Sequence, residues 1–205
     1  MSPPSSDAAA PTGRPRDPAL EQAILDATVD LIVRRGMAGT TVAEIARQAG
    51  TGKAAVYRRW PTKTALVVAA VRALQAEVTV PDNGSLREDL HDWVRHFTSG
   101  DEKAAVLLAT LLGEASRDTE LREAAAAAIG RPPAAALRAV IGRAVERGEV
   151  DPAAPVDVVV EIIPSIAFRR LVTEGRTLDP VTAAALVDQV LLPALRHHPG
   201  RPPAR

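Results

Sequence analysis

Lys53, Tyr57, Arg58, Arg59 and Lys63 crowd into a stretch from 53 to 63 that holds four basic residues and no acid. Lys53 and Tyr57 are four apart and share one face of a helix, while Val56 and Trp60, also four apart, share another. One face can anchor on a neighbouring helix and the other is left free. Cations and a phenol on a free helix face suit nucleic acid, because ammonium and guanidinium groups neutralise phosphates and donate to acceptors on base edges. A helix from 53 to 60 would be about 12 Å long at ~1.5 Å per residue, which matches a B-DNA major groove about 12 Å wide. Pro61 ends that helix and Thr62 can cap the next, so the Lys63 ammonium and the first backbone amides of the following helix would meet an anion together.

A short preceding helix is needed to hold this one in place, and the residues from 41 to 52 describe it. Thr41 can cap it, with Glu44 three residues later completing a capping box. Val42, Ile45, Ala46 and Ala49 fall at i, i+3, i+4 and i+7 and must be buried. Gly50 and Gly52 flank Thr51, where a sharp turn needs a permissive backbone and a hydroxyl to cap the second helix. Thr41 and Thr51, at the two helix starts, complete the set expected to face DNA.

The run TVAEIARQAGTGKAAVYRRWPTKTAL, residues 41–66, resembles the DNA-binding domain of the tetracycline-repressor (TetR) family, and the likeness extends over about residues 17–78. It rests on the TVAEIARQAG helix, Tyr57, the aromatic Trp60, and the Pro61-Thr62-Lys63 entry into a fourth helix. The resemblance implies that Lys53, Ala54 and Ala55 take base-edge positions, that Tyr57 and Arg59 take DNA-backbone positions, and that Lys63 contacts a phosphate. Two residues depart from the family pattern: Trp60 stands where Phe is common, and Arg59 where His is more usual. Beyond residue 80 the likeness is weaker and rests on helix pattern, the FRRLVTEG stretch and the Asp179-Pro180 helix start.

Composition limits the other chemistries. The chain has 205 residues, 46% hydrophobic, which is ample for a core. It has no cysteine, which removes disulfides and thiolate metal sites and suits a reducing compartment. Neither a signal-peptide core nor an apolar run of ~18 residues occurs, so the sequence predicts a cytoplasmic protein with no membrane partner. Net charge is zero, yet residues 1–63 hold nine Lys and Arg against six Asp and Glu, and the basic excess travels with the helix-turn-helix segment. His91 and His96, five apart, do not share a face as metal ligands would, and Glu88-Asp89 and Asp101-Glu102 are helix-start charges. No catalytic residue, metal site or cofactor is expected, and the chain does not read as an enzyme.

Along the chain, residues 1–16 are rich in Pro, Ser and Ala and are expected to be a disordered basic arm, either one whose Arg14 and Arg16 enter a neighbouring minor groove or a frayed basic terminus. Asp17-Pro18 starts the first helix, with Leu20, Ile24, Ala27 and Leu31 as its buried stripe and Gly36 as its end. A fourth helix is predicted over 63–78, carrying Leu66, Ala70, Val71 and Leu74, before Pro81-Asp82-Asn83-Gly84 breaks the chain. Ser85 with Glu88 predicts a second capping box, and helices follow at about 103–116, 119–129 and 133–147, the last two separated at Arg131-Pro132-Pro133. A buried helix kinked at Pro164 is expected from Val156 to Gly175, and a final one from Asp179 to Arg196. That final helix is apolar on several sides, so the last two helices are expected to pair with a second copy of the chain.

The expected fold is therefore all-α with about nine helices: a three-helix head and connecting helix over 17–78, a helical ligand-binding and dimerisation body over 79–198, and a disordered tail at 199–205. The family resemblance implies a homodimeric transcriptional regulator, usually a repressor, that leaves a palindromic operator when a small-molecule effector binds the body. A dimeric DNA binder without an effector, or a small-molecule binder without DNA, are the alternatives. Trp93, His96, Phe97 and Glu114 are the candidates for lining an effector pocket.

Overall fold

Six helix starts are closed by a side chain that accepts from the first turn, which leaves fewer backbone N–H groups without a partner. Asp17 accepts from the amides of Ala19 and Leu20, Thr41 from Glu44, Thr62 from Ala65, Ser85 from Glu88, Asp118 from Leu121 and Asp179 from Thr182. The computed structural model describes residues 17–98 and 102–196, and among these every regular element is helical. The head holds α1 (Pro18–Arg35), α2 (Val42–Gln48), α3 (Lys53–Tyr57) and α4 (Lys63–Leu74). The body holds α5 (Leu86–Val94), α6 (Glu102–Ala115), α7 (Thr119–Ala125), α8 (Arg131–Glu146), α9 (Val156–Glu174), α10 (Pro180–Leu186) and α11 (Leu192–Arg196). A π-turn at Ala126–Gly130 joins α7 to α8, and another at Val187–Leu191 joins α10 to α11, so the described residues form nine continuous helical rods. None of them is long and apolar enough to cross a membrane.

Several local expectations change. The Thr41–Glu44 capping box closes in both directions, with Glu44 Oε2 accepting from the Thr41 amide at 3.0 Å. At Ser85 only half of the box forms: the hydroxyl accepts from Glu88 N–H at 3.3 Å, and among the described residues the Glu88 carboxylate makes no return bond. Thr51 does not cap α3; Gly52 occupies that position without a side-chain bond, and α3 is five residues rather than eight. A loose turn continues it, with the amides of Arg59 and Trp60 both donating to Val56 O. α4 stops at Leu74, four residues before the expected end, where Gln75 turns extended. The Arg131-Pro132-Pro133 step is not a break. Proline needs room for its ring against the preceding turn, and the wider π-turn just ahead of it lets the rod continue. Pro164 lies inside α9 as expected, and α9 ends at Gly175 with φ +66, a left-handed backbone that glycine adopts without strain.

Two hydrophobic cores organise the molecule. The first joins α1, α2, α3 and α4 to Leu107, Leu111 and Ala115 of α6 and Leu121 and Ala125 of α7. The second joins α5, α8, α9, α10 and α11 around Leu90, Trp93, Leu137, Ile163 and Leu195. The head therefore shares its core with two helices that come after α5 in the chain, and a Lys103–Asp30 ion pair at 3.3 Å ties α6 to α1 at the surface.

Candidate nucleic-acid interface and effector cavity

Gly50 sits at φ +67 between α2 and α3, a conformation that lets the chain reverse in three residues. Val56 is fully buried and Trp60 packs against the first core, so α3 is fixed by the two residues predicted to anchor it. The opposite face leaves Lys53, Ala54, Tyr57 and Arg58 exposed, with Ala55 half-buried beside them and Tyr57 47% accessible. The spacing i, i+1, i+4, i+5 makes this one continuous face. Thr41 is exposed at the start of α2 with its hydroxyl 2.8 Å from Glu44 Oε2, and Thr51 is half-buried in the turn.

The other two cations are turned toward the protein. Arg59 donates to Ala55 O at 3.2 Å and lies 4.0 Å from the Glu21 carboxylate, with its side chain only 11% accessible. The Lys63 ammonium donates to Met37 O, in the loop after α1. Burial holds the Lys63 pKa below the usual lysine value, opposed by the charges of Glu114 and Glu44. Neither side chain is spread over the surface as the expected phosphate contacts would be. Arg14 and Arg16 lie outside the described residues.

A cavity of about 330 Å³ lies at the seam between the two cores. Leu74 and Gln75, at the end of α4, form part of its wall, with Leu108 and Leu112 from α6 and Arg122 from α7. Ile129 of the π-turn, Pro133 of α8, and Pro164, Phe168 and Leu171 of α9 also line it. A π-turn in the wall of a cavity is a common functional arrangement, since the widened turn displaces side chains that a regular helix would stack.

Of the four residues expected to line an effector pocket, two border this cavity, and Trp93 borders a separate one beside Val78 and Pro81. His96 and Phe97 stand in the wall, their rings 5.1 Å apart edge to face. His96 Nδ1 lies 3.1 Å from Ala76 O, which only accepts, so that nitrogen carries the proton; burial lowers the His96 pKa, opposed by this hydrogen bond. Trp93 instead belongs to the second core, 3% exposed, with its indole N–H donating to Pro133 O at 2.9 Å. Glu114 is exposed on α6 and does not border the cavity. The wall residues Gln75, Arg122, Pro133 and Phe168 escaped sequence reasoning. Only Phe168 carried a signal, as the first residue of FRRLVTEG.

On the outside of the body, Val158, Phe168 and Val172 of α9 and Val181 and Val190 of the α10–α11 rod are exposed, Val181 to 80%. Phe168 thus belongs both to the cavity wall and to the apolar outer face. Among the described residues no cluster of three or more His, Asp or Glu could hold a metal ion.

Comparison with known proteins agrees with both halves. Residues 24–70 match the family described as bacterial regulatory proteins, tetR family, and residues 80–190 match the tetracyclin repressor-like C-terminal domain. An uncharacterized HTH-type transcriptional regulator of Mycobacterium bovis is 33% identical over 192 residues, 91% of this chain and 95% of the relative. The DNA-binding transcriptional repressor TetR of Mycobacteroides abscessus is 33% identical over 183 residues, 85% of this chain and 93% of the relative. A crystal structure of a TetR family transcription regulator superposes with a TM-score of 0.61 at 27% identity, covering 84% of this chain and 96% of that one. NalD of Pseudomonas aeruginosa shares the fold, with a TM-score of 0.64 at 20% identity, covering 88% and 98%.

Proposed function

This chain belongs to the tetR family of bacterial regulatory proteins and is a DNA-binding transcriptional regulator rather than an enzyme, and we propose that it acts as a homodimeric repressor, released from a twofold-symmetric operator by a small molecule. The repressor reading is supported by the likeness to the DNA-binding transcriptional repressor of Mycobacteroides abscessus. The dimer reading is supported by the apolar face of α9 and the α10–α11 rod, since five large hydrophobic side chains left in water on two adjacent helices are suited to meeting their own copies across a twofold axis. The regulator would work in the cytoplasm, where its operator lies.

One observation carries the release: the last turn of α4 is part of the cavity wall. A ligand that fits the cavity touches Leu74 and Gln75 directly, at one end of the rod whose other end begins at Lys63, three residues after Trp60. An effector favours release only by binding better to a conformation in which the two α3 faces are wrongly spaced for DNA. The coupling is reciprocal, so operator DNA weakens effector binding by the same factor.

Selection of bound sequences from a random DNA pool tests the reading. The expected product is an inverted repeat with half-site centres near ~34 Å or a multiple of it along the duplex. A single asymmetric site would remove the twofold dimer from the mechanism.

A further inference from the structure

We propose that the cavity takes a compact, largely apolar monoanion, a small carboxylate rather than an amine, and that Arg122 at its rim receives the charge. This deepens the effector reading and depends on it only for the consequence at DNA. The wall is apolar over most of its extent, through Leu74, Phe97, Leu108, Leu112, Ile129 and Phe168. Among the described residues Arg122 is the one permanent charge on it, and no described Asp or Glu borders it. A ligand cation would thus meet, among the described residues, no counter-charge and a like charge at the rim, whereas an anion has the Arg122 guanidinium beside it.

Arg122 has the capacity for this. Of five N–H donors it commits one nitrogen to Thr119 Oγ1 at 3.1 Å, and among the described residues it forms no ion pair, not even with Glu120 and Glu123 beside it on α7. The other titratable group on the described wall, His96, has its pKa lowered by burial, which disfavours a second positive charge there. A volume of about 330 Å³ lies at the small end of the ~300–1,000 Å³ range of ligand sites, which favours a short chain or a single ring system over a long lipid. Since Arg122 is exposed, solvent screens its attraction, and the preference for carboxylate over the matching alcohol is expected to be about two- to fivefold.

Octanoate, octanol and octylamine test this as a matched set, titrated by calorimetry into the full chain. Octanoate is expected to bind tightest and octylamine weakest. Arg122→Gln should bring octanoate down to the affinity of octanol and leave octanol unchanged, with helical content verified by circular dichroism, while Arg117→Gln should leave the order intact. Equal or tighter binding of octylamine, equal binding of octanoate and octanol, or binding of none of the three would overturn the proposal. Retardation of the selected operator is read in the same samples. Octanoate bound through Arg122 without DNA release leaves the ligand class standing and removes the effector reading, whereas preferred binding of octylamine removes the ligand class even where DNA is released.

Discussion

Lys53 and Arg58 are the cations that α3 leaves in water, while Arg59 and Lys63 are drawn back onto Ala55 O, Glu21 and Met37 O. Their division of labour is testable by fluorescence anisotropy at several salt concentrations. Lys53→Ala should cost about 1–3 kcal/mol of operator affinity and relax preference at one base pair; Arg58→Ala should weaken all sequences equally and lower the salt slope by about 1. The reverse pattern would exchange their roles. Lys63→Ala should lower thermal stability as well as DNA affinity, since it removes a hydrogen bond to the α1 loop worth about 1 kcal/mol or more. At the cavity, His96 makes a pH prediction. Its folded pKa lies below the ordinary histidine value, so the unfolded chain takes up a proton that the folded one resists. The neutral-ring contribution is therefore full above about pH 6.5 and is lost as pH falls from there toward the lowered folded value. Urea unfolding at pH 7.5 and 5.5 should show a larger loss for the wild type than for His96→Gln; equal losses would contradict it.

Helix starts were legible in the sequence because a cap is a local object: Asp17, Thr41, Thr62 and Asp179 each meet an amide two or three residues away. Helix ends were less so. Nothing in Gln75-Ala76-Glu77-Val78 forbids a helix, yet Gln75 turns extended and Val78 packs instead against the second core. The prolines after Arg131 were read as a break because a π-turn leaves no residue signature of its own. The exposed basic face of α3 was visible from spacing alone, but the cavity was not, because its described walls come from six separated segments and owe much of their space to small side chains such as Ala105, Ala125 and Ala167. Two predictions belong to this scale. Thr41→Ala should cost about 1 kcal/mol of stability by opening the capping box, measured by chemical denaturation. Leu74→Ala should leave effector-free operator affinity near wild type and change the ratio of affinities with and without effector, a coupling typically worth ~1–3 kcal/mol. An unchanged ratio would exclude the end of α4 from the switch.

For the molecule as a whole, the apolar outer face predicts its assembly. Val172→Arg or Val181→Arg would set a cation into the proposed interface, where its desolvation has no compensation. Each variant should sediment as a monomer at concentrations where the wild type sediments as a dimer, and should lose most operator affinity because one head reads one half-site. A dimer that survives both changes would place the interface elsewhere. The two cores carry a further implication. Leu107, Leu111, Ala115, Leu121 and Ala125 reach the head from beyond residue 100, so the boundary between the two family matches, in the seventies, is not a boundary in the packing. A chimera that moved this head onto the body of a relative would have to bring α6 and α7 along or find five other side chains of the same shape. The head and part of the body are one packing unit, so new pairings of the two halves are constrained by side-chain shape before any question of function arises.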